Sequence, residues 1–501
     1  MKAKRLSYLI FFSTLSFSTE LFSQELYEVE ILPPTVQGTM ETVNGEQLKI
    51  LVGNVKLKHR LNYIDCDSAV IYPNNNIDAF GHVIIRKKSG AKVYGDKLNY
   101  LSLQKVAIIR GNVIFIDKKS KLYAEDITYD LNNDVGQYLT GGKLINGESE
   151  ITSQTGTFYT KENLILFRQN VKVNHPKYKL ESDSLMYNTK EKRSIFKTST
   201  KIENDSGFIW CNAGWHDEEK NQSSFGRGTY IYNPPSWLLT DSIFYDKKNG
   251  ESYIYKTFEY HDTAAKTHLF GDSAYMYNEN KDMIAYKRPI LIMESSDNKP
   301  TFVRGDILIN QATSKNERVM KAISNVKLFN DDFQAAGDTL IYKTIDSTIC
   351  ITKNAFLWQS QSQLSGLKLF IYLINKKPKR INVYGNSFMA QEEEVKGHYN
   401  QVSSDSSHFF FRDGKMDYLF AFGNSKSIYY GKEEGKGYLG LNSSESYSLK
   451  MIYDTSKPKE VVFYKNPKAI FYPVKEITES NRFLTNFVWK SALRPRSKDD
   501  L

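Results

Sequence analysis

Apolar and polar residues alternate along much of this chain, which predicts β-strands with one buried face and one wet face. Residues 55–58 read Val-Lys-Leu-Lys, and residues 171–174 read Val-Lys-Val-Asn. Beyond residue 25, no stretch of twelve residues sustains the i, i+3, i+4 apolar spacing of a helix. The usage of Tyr, Phe, Val and Ile also favours strands. We therefore expect an all-β fold.

Two short phrases recur at a nearly fixed interval. The first is Gly-Asn-Val or Gly-His-Val, at residues 53–55, 81–83 and 111–113. The second contains an acid, as in Cys66–Ala69 and Gly95–Tyr100. Counting from Asp67 in steps of 29 residues reaches an acid or an amide each time, at Asp96, Glu125, Gln154, Asp183, Asn212 and Asp241. A fixed period of this size is the signature of stacked repeats.

The period also predicts the content of each repeat. A 29-residue unit has room for two strands of about 8–10 residues and two turns. Clusters such as Pro73–Asn76 and Asp117–Ser120 are typical of the turns. Beyond Asp241 the interval lengthens, which indicates longer loops on one face. Residues 204–233, with Trp210 and Trp215, are the most irregular part of the middle.

The first residues read as a secretory signal peptide. Basic Met1–Arg5 precedes the apolar stretch Tyr8–Phe17, and Phe22–Gln24 offers a small-residue cleavage site. The apolar stretch is too short to span a bilayer. We divide the chain into a signal peptide at 1–24, regular repeats at 25–200, more irregular repeats at 201–315, a second repeat region at 316–475 and a basic tail at 476–501.

The charge balance changes the picture of possible partners. Removal of residues 1–24 takes away three positive charges and one negative charge, which lowers the formal net charge from +10 to +8. This favours anionic partners such as phosphates, acidic glycans or a membrane surface. A basic solvated surface without a partner is an equally weighted alternative. Nucleic acid is not expected as a partner, because export argues against it and no nucleic-acid module is legible.

No arrangement of residues indicates catalysis. The periodic acids repeat along the whole chain, whereas a catalytic site needs a unique constellation, so structural roles at turns and strand ends are favoured. Gly435–Gly440 formally matches Gly-x-Gly-x-x-Gly but lacks the flanking strand and helix of a dinucleotide site. The three cysteines show no metal-ligand spacing. We expect no catalytic residue, no metal site and no cofactor.

The apolar face is the more informative feature. One continuous stripe is predicted to contain Val55, Leu57, Val83, Ile85, Val113, Phe115, Val171 and Val173. In a closed solenoid this stripe is simply core. In an open stack it becomes an apolar groove for lipid chains, and periodicity alone does not choose between the two. A basic rim is predicted at Lys56, Lys58, Arg86 and Lys87.

The recurring phrases resemble those of the OstA/LptA family, the organic-solvent-tolerance proteins. The phrases are Gly53–Val55, Cys66–Ala69, Gly81–Val83, Gly95–Tyr100 and Gly111–Val113. The long form behind a signal peptide resembles the OstA-like proteins of Bacteroidota-type envelopes. Similarity is clearest over residues 45–200 and fades towards residue 475.

The resemblance implies an open β-jelly-roll of stacked antiparallel strands that carries lipopolysaccharide, the lipid A-containing glycolipid, through the periplasm to the outer membrane. It implies partners with jelly-roll domains in an inner-membrane complex and an outer-membrane translocon, and end-to-end homo-oligomers. On this interpretation the stripe holds acyl chains and the basic rim meets lipid phosphates. The chain is several times longer than a single bridging module and lacks a recognisable outer-membrane barrel.

Two other functions remain open on sequence grounds. One is a structural or adhesive exported solenoid with a closed core and function on its loops. The other is a β-helical polysaccharide-processing enzyme, which requires a cluster of acids in one cleft outside the periodic positions. Glu392–Glu394 is the nearest such cluster, and a solvated loop is the simpler interpretation of it.

Overall fold

The protein folds into antiparallel β-strands. The structure, a computed structural model, describes residues 28–501 except 36, 89, 278–281, 296–297, 315–316, 375–376, 434–436 and 455–456. Within those ranges there is no α-helix, and the only helical elements are three 3-10 turns near the C-terminal end. No helix among these residues is long and apolar enough to cross a membrane. The described residues form two compact units, which divide between Thr140 and Gly141.

The first unit is a meander of nine strands. Its strands are β1 (Glu30–Leu32), β2 (Gln37–Val43), β3 (Glu46–His59), β4 (Asn62–Ile71), β5 (Ile77–Lys87), β6 (Lys92–Leu101), β7 (Val106–Asp117), β8 (Ser120–Asp130) and β9 (Val135–Tyr138). Both β1 and β2 pair with β3, and from β3 onwards each strand pairs antiparallel with the next. Consecutive hairpins therefore stack along one direction.

Each long strand bends once near its middle. In β7 the bend is made by Gly111 and Asn112, which have φ angles of 78° and 48°. Two successive left-handed residues interrupt the pairing register, so that Arg110 pairs with Asp126 and Val113 pairs with Ala124. This is a bulge, which bends a strand and re-aims its side chains. The same pair of left-handed residues occurs at Gly53–Asn54 and Gly81–His82, so the recurring phrase marks a repeated corner.

The corner keeps both halves of every strand facing the interior. Because of the bulge, the buried positions step by two within each half but by three or four across the bend. In β7 the buried residues are Ala107 and Ile109 before the corner, then Val113 and Phe115 after it. Each strand thus contributes apolar side chains to two walls that enclose one core.

The second unit continues the same scheme with broken strands first. These are β10 (Gly142–Asn146), β11 (Ser149–Ser153), β12 (Thr155–Tyr159), β13 (Leu164–His175), β14 (Tyr178–Asn188), β15 (Arg193–Phe196), β16 (Thr200–Asn204), β17 (Gly207–Cys211), β18 (Ala213–Asp217), β19 (Gln222–Asn233), β20 (Ser236–Asp246), β21 (Glu251–Ile254), β22 (Phe258–Asp262), β23 (Thr267–Gly271), β24 (Ser273–Tyr277), β25 (Asp282–Tyr286), β26 (Ile290–Met293), β27 (Thr301–Arg304) and β28 (Ile307–Ser314).

Longer strands complete the second unit. They are β29 (Glu317–Phe329), β30 (Gln334–Lys343), β31 (Thr348–Gln359), β32 (Ser362–Ile374), β33 (Lys377–Glu392), β34 (Tyr399–Arg412), β35 (Lys415–Glu433), β36 (Gly437–Asp454), β37 (Lys457–Tyr464) and β38 (Lys468–Pro473). The three 3-10 turns are η1 (Val474–Glu476), η2 (Ser491–Leu493) and η3 (Lys498–Asp500). From β29 to β36 each strand pairs with its successor.

The walls of the second unit are easiest to follow in the broken strands. Strand β14 pairs with β15 on one side of its corner and with β16 on the other side. We call the wall that contains β15 and β18 wall A, and the wall that contains β16 and β17 wall B. Long strands such as β19 contribute one half to each wall.

The predicted all-β fold of stacked antiparallel repeats is confirmed. The expected strand length of about 8–10 residues was too short for the long strands, because β3, β7 and β13 run through their corners to lengths of 14, 12 and 12 residues. Of the periodic positions, Asp67, Asp96, Glu125, Asp183 and Asp241 lie at mid-strand corners, and Gln154 and Asn212 lie at corners where the strand is broken in two. The predicted signal peptide lies outside the described residues.

Candidate functional site

The predicted apolar stripe lies in the interior. Val55 and Leu57 are fully buried, and among the other predicted members only Ile85 is half-buried. In the first unit Leu57, Ile85 and Phe115 lie on one cross-strand row, Leu57–Ile64–Ile85–Val93–Phe115–Leu122, and Val55, Val83 and Val113 lie two positions earlier on the same strands. Side chains of neighbouring strands fill the space around this row, so the stripe is packed core in residues 28–140.

A longer apolar row lines the inner face of wall B in the second unit. It passes through Ile151, Val173, Leu180, Ile202, Ile209, Ile231, Leu238, Tyr260, Leu269, Leu291, Val303, Leu328, Ala335, Leu357, Leu364, Met389 and Val402. At about 4.8 Å per strand the row is roughly 75 Å long. The predicted residue Val173 is one of its members. The row is therefore a continuous apolar track along the interior.

The two walls part along this track at β14–β20. A cavity of about 530 Å³ lies between them. On wall B the cavity is bounded by Leu180, Ile202, Ile209 and Ile231 of the apolar row. This volume lies within the range of small-molecule sites, about 300–1,000 Å³. The stripe prediction did not locate this cavity.

Wall A gives the cavity a polar side. Ser194, His216 and Ser223 form a cross-strand row that faces the apolar row. His216 Nδ1 lies 2.9 Å from Ser223 Oγ. Burial lowers the pKa of His216, so its neutral form is favoured. The cavity thus has one apolar and one hydrogen-bonding wall, as an amphiphilic ligand requires.

A set of ionisable groups surrounds the mouth of the cavity. Glu218 accepts hydrogen bonds from Ser149 Oγ at 3.0 Å and from the Tyr178 hydroxyl at 3.2 Å. Burial, with the adjacent Glu218, raises the pKa of Tyr178 well above its usual range. The Tyr178 ring stacks on His175 at a centroid distance of 4.8 Å. These contacts hold the mouth in one geometry.

Lysines also line the mouth. Lys177 and Lys247 are exposed there, and Lys192 Nζ lies 4.0 Å from Glu219. An exposed ammonium group beside an apolar cavity is suited to the phosphate or carboxylate of a bound amphiphile. The acids and lysines together make the mouth polar without a single dominant charge.

A second, smaller cavity lies farther along the same interior. Its volume is about 50 Å³, and its lining includes Leu269, Leu291, Val303 and Leu328 of the apolar row. Met283 and Leu308 face it as well. Free space therefore recurs along the track rather than at one point.

The predicted basic rim is largely engaged in ion pairs. Lys58 Nζ lies 2.9 Å from Glu30, Arg86 Nη2 lies 2.5 Å from Asp65, and Lys87 Nζ lies 2.9 Å from Asp134. The hydrogen bond to Glu30 raises the pKa of Lys58. Lys56 is half-buried on the same strand as Lys58. The carboxylate partners lie on other strands or, for Asp134, in the turn before β9, and the sequence pattern did not predict these pairs.

Other candidate chemistry receives no further support. Among residues that the structure describes, no group of three or more His, Cys, Asp or Glu side chains is arranged to hold a metal ion. Cys66 and Cys211 are buried free thiols, and burial raises the pKa of each to about 12. Glu393 is paired with Lys432 at 2.6 Å and accepts from Asn400, which is a structural arrangement.

Comparison with known proteins places part of the chain in a family. Residues 35–183 match the sequence model of a family described as OstA-like protein. No curated protein gives a significant match to the sequence. One similar solved structure is LptH from Pseudomonas aeruginosa, the LptA-homologous periplasmic component of a lipopolysaccharide transport device. It is 18% identical, with 21% of this chain and 79% of that chain covered, and the TM-score is 0.20.

A second solved structure is the WD40 domain of SCAP from fission yeast. It is 10% identical, with 89% of this chain and 87% of that chain covered, and the TM-score is 0.09. Neither structural likeness is close enough to carry an argument. The family match at residues 35–183 is the informative finding.

Proposed function

We propose that this chain, which belongs to the OstA/LptA family through its OstA-like residues 35–183, binds lipopolysaccharide or another lipid A-containing glycolipid and carries it towards the outer membrane. The family is one of lipopolysaccharide-transport-type β-jelly-rolls whose members are not enzymes. The observation that carries the proposal is the cavity of about 530 Å³ between an apolar and a polar wall.

The apolar track supplies the affinity for acyl chains. Each CH₂ group removed from water contributes about 0.8 kcal/mol, so a chain laid along several strands gains substantial free energy. Ile202, Ile209 and Ile231 offer adjacent contacts on wall B. The acyl chain enters at the cavity, where walls A and B are already apart. It then continues along the apolar track as the two walls separate further.

The polar side and mouth serve the head group. His216 and the serines of wall A hydrogen-bond the sugar or amide groups of the glycolipid. Lys177 and Lys247 lie at the mouth, where phosphate groups remain in contact with water. We expect specificity to come from these polar contacts, because an apolar track alone accepts any acyl chain.

The location and partners follow from the same proposal. The protein acts in the periplasm, with outer-membrane association at one end of the route, and meets jelly-roll domains of an inner-membrane complex and an outer-membrane translocon. Strand β2 pairs with β3, and all seven of its residues are exposed. An exposed strand of this kind can pair with a jelly-roll domain or with a second copy end to end.

Lipid binding by a cavity variant tests the proposal. Ile209→Asp places a carboxylate against the apolar row, and binding of a fluorescent lipid A analogue should fall at least tenfold. Ile195→Asp is the matched control, because Ile195 lies on the outer face of wall A beside Trp215. Val55→Asp, Val113→Asp and Val171→Asp test the predicted stripe itself.

Equal binding by the Ile209→Asp variant and the unchanged protein would contradict the assignment of the cavity. Failure of all forms to bind would favour the exported solenoid with a closed core, for which the packed interior of residues 28–140 is the relevant observation. Circular dichroism of each variant checks that the strands are retained.

A further inference from the structure

Four of the five tryptophans lie on or against the outer face of wall B. Trp210 and Trp237 lie on β17 and β20, and Trp358 lies on β31. Trp489, in the C-terminal segment, packs on Tyr399 of that face at a ring-centroid distance of 5.0 Å. Tryptophan and tyrosine are enriched where proteins bind one another. The proposed lipid site lies in the interior, so it does not explain why tryptophans are concentrated on the outer face of wall B.

The downstream part of this face is covered by the chain's own residues 477–501. Gln363 donates to the carbonyl of Val488 at 2.6 Å and accepts from the amide of Lys490 at 2.7 Å. Gln401 makes the same paired contact with the carbonyl of Arg482 and the amide of Leu484, both at 2.9 Å. Both glutamine side chains are 1% exposed. The face therefore holds a peptide segment by its backbone.

Aromatic packing accompanies these hydrogen bonds. Phe487 contacts Phe388 and Tyr399 at centroid distances of 6.2 and 5.0 Å. Leu484 and Ile477 pack against Ile428, Tyr430 and Leu441. The C-terminal segment shows which kind of ligand this face accepts: a polypeptide with short turns and with aromatic and aliphatic side chains.

The covered and uncovered parts of the face are one continuous surface. A single cross-strand row passes through Phe208, Tyr232, Trp237, His261, His268, Ile292, Phe302, Phe329, Gln334, Trp358, Gln363, Ala390 and Gln401. Leu501 lies at Arg304, whose Nη1 donates to its carbonyl oxygen at 2.5 Å. The C-terminal segment thus contacts residues from Arg304 to Leu441.

The upstream part exposes aromatic side chains. Trp210, Tyr232 and Leu239 are 48%, 37% and 39% exposed. Trp237 stacks on His261 at 3.7 Å, and Tyr230 contacts Trp237 at 5.8 Å. These rings form a preformed array whose outward surfaces are accessible, as in a binding surface with rigid aromatic anchors.

We propose that the outer face of wall B formed by β17, β22, β23, β26 and the adjoining halves of β19 and β20 is a docking surface for an aromatic-bearing, turn-rich segment of a partner protein, bound in the manner of residues 477–493. Continuity with the covered part is the main support. An anionic bilayer surface fits less well, because Lys201 on this face is paired with Glu203 at 2.8 Å, and Glu259 and Glu294 add further carboxylates, so these groups leave no excess positive charge to attract it.

A defined peptide tests the surface. The probe is a fluorescein-labelled peptide of residues 477–493, added to the full chain and followed by fluorescence anisotropy. We expect saturable binding that weakens at least tenfold in Trp210→Ser and in Trp237→Ser. Trp215→Ser on the outer face of wall A is the matched control and should bind as the unchanged protein does. Trp210 is half-exposed, so its replacement leaves the fold intact.

Three results would overturn the proposal. The first is absence of peptide binding to the unchanged protein. The second is binding that survives Trp210→Ser and Trp237→Ser but is lost in Gln363→Leu, which would show exchange at the covered part instead. The third is tryptophan-dependent flotation with vesicles of phosphatidylethanolamine and phosphatidylglycerol without peptide binding, which would make the face a membrane surface.

Discussion

The side-chain amide of Asn112 donates a hydrogen bond of 3.0 Å to the carboxylate of Asp96 on the neighbouring strand. The same relation joins Asn325 to Asp306 at 2.7 Å and Asn424 to Asp405 at 3.1 Å. His82 takes the place of the asparagine opposite Asp67 at 2.8 Å. These pairs tie the left-handed residues of one strand to the corner that precedes it in the chain, so the repeat period records a structural contact.

Replacement of the glycine in such a corner should be costly. In Gly111→Ala the new Cβ would lie 2.4 Å from Asp96 Oδ2 and 2.9 Å from Asp96 Cβ, at a φ of +78°. We expect a loss of about 1–3 kcal/mol in stability from the backbone conformation and the displaced carboxylate. Thermal unfolding followed by circular dichroism measures this loss.

Gly45→Ala separates the two causes. Gly45 has a φ of +85°, but nothing lies within 4 Å of a Cβ built there. This variant should lose about 1 kcal/mol from backbone conformation alone. If both variants are equally destabilised, contact with Asp96 has no part in the effect.

The C-terminal segment should loosen when its glutamine contacts are removed. Gln363→Leu deletes the two hydrogen bonds to the backbone at residues 488 and 490. Each is expected to contribute about 1 kcal/mol, so amide exchange and trypsin cleavage after Lys490 should accelerate at least tenfold. Gln359→Leu at the end of the preceding strand β31, whose bond to Gly414 is exposed, is the control and should leave the segment protected.

Lysines at the cavity mouth and lysines of the rim should differ in their effect on lipid binding. Lys177→Gln or Lys247→Gln removes an exposed charge near the proposed phosphate position, and affinity for an anionic lipid should fall about fivefold for each. Lys58→Gln and Arg86→Gln remove charges already paired with Glu30 and Asp65. Titration of a fluorescent lipid A analogue at two salt concentrations compares them. An equal loss of lipid affinity in the mouth variants and the rim variants would contradict a special role for the lysines at the mouth.

Acidification should destabilise the second unit through His216. Tyr178, His175 and Glu218 lie around this imidazole, and burial is the main reason that its pKa is lowered. Below about pH 6.5 the unfolded chain takes up a proton that the folded chain excludes. The contribution of neutral His216 to the free energy of unfolding is therefore fully present above pH 6.5. It declines as the pH falls, by at most about 1.4 kcal/mol per pH unit.

His216→Gln tests this pH dependence. The glutamine does not titrate, so the variant should lose less stability than the unchanged protein between pH 7.5 and pH 5.5 in thermal unfolding. His82→Gln gives the opposite sign, because the hydrogen bond and charge of Asp67 raise the pKa of His82, and its contribution is lost as pH rises. Identical pH profiles for the His216 variant and the unchanged protein would contradict the account.

The repeat could be predicted from sequence because its determinants are local. Gly53–Asn54 and Asp67 mark corners whose backbone conformation restricts which residues fit. Strand length was underestimated because a strand that bends through a bulge continues beyond the glycine. Turns such as Pro73–Asn76 also depend on residues that are close in sequence, so they could be predicted as well.

The cavity could not be located from sequence. Its polar side joins Ser194, His216 and Ser223 from three strands, and its apolar side comes from the opposite wall. Whether the walls touch or part depends on packing across them, which leaves no periodic signal. The ion pair of Lys87 with Asp134 is likewise set by strand stacking.

From the sequence, the C-terminal segment could be recognised only as the place where the strand repeats end. Gln363 and Gln401 bind its backbone, and such contacts impose no particular sequence on residues 482–490. Apolar and polar residues do not alternate around Phe487 and Trp489, so neither a strand nor a binding role was predicted for these two aromatic residues.

Lipid bound to the protein in its native envelope is the most direct test of the central claim. The mature protein would be purified gently from that envelope, and its extracted lipid identified and quantified by mass spectrometry. Binding in the interior predicts lipid A-containing glycolipid at about one molecule or more per chain, reduced in the Ile209→Asp variant. Lipid-free protein that also fails to take up added lipopolysaccharide would contradict it.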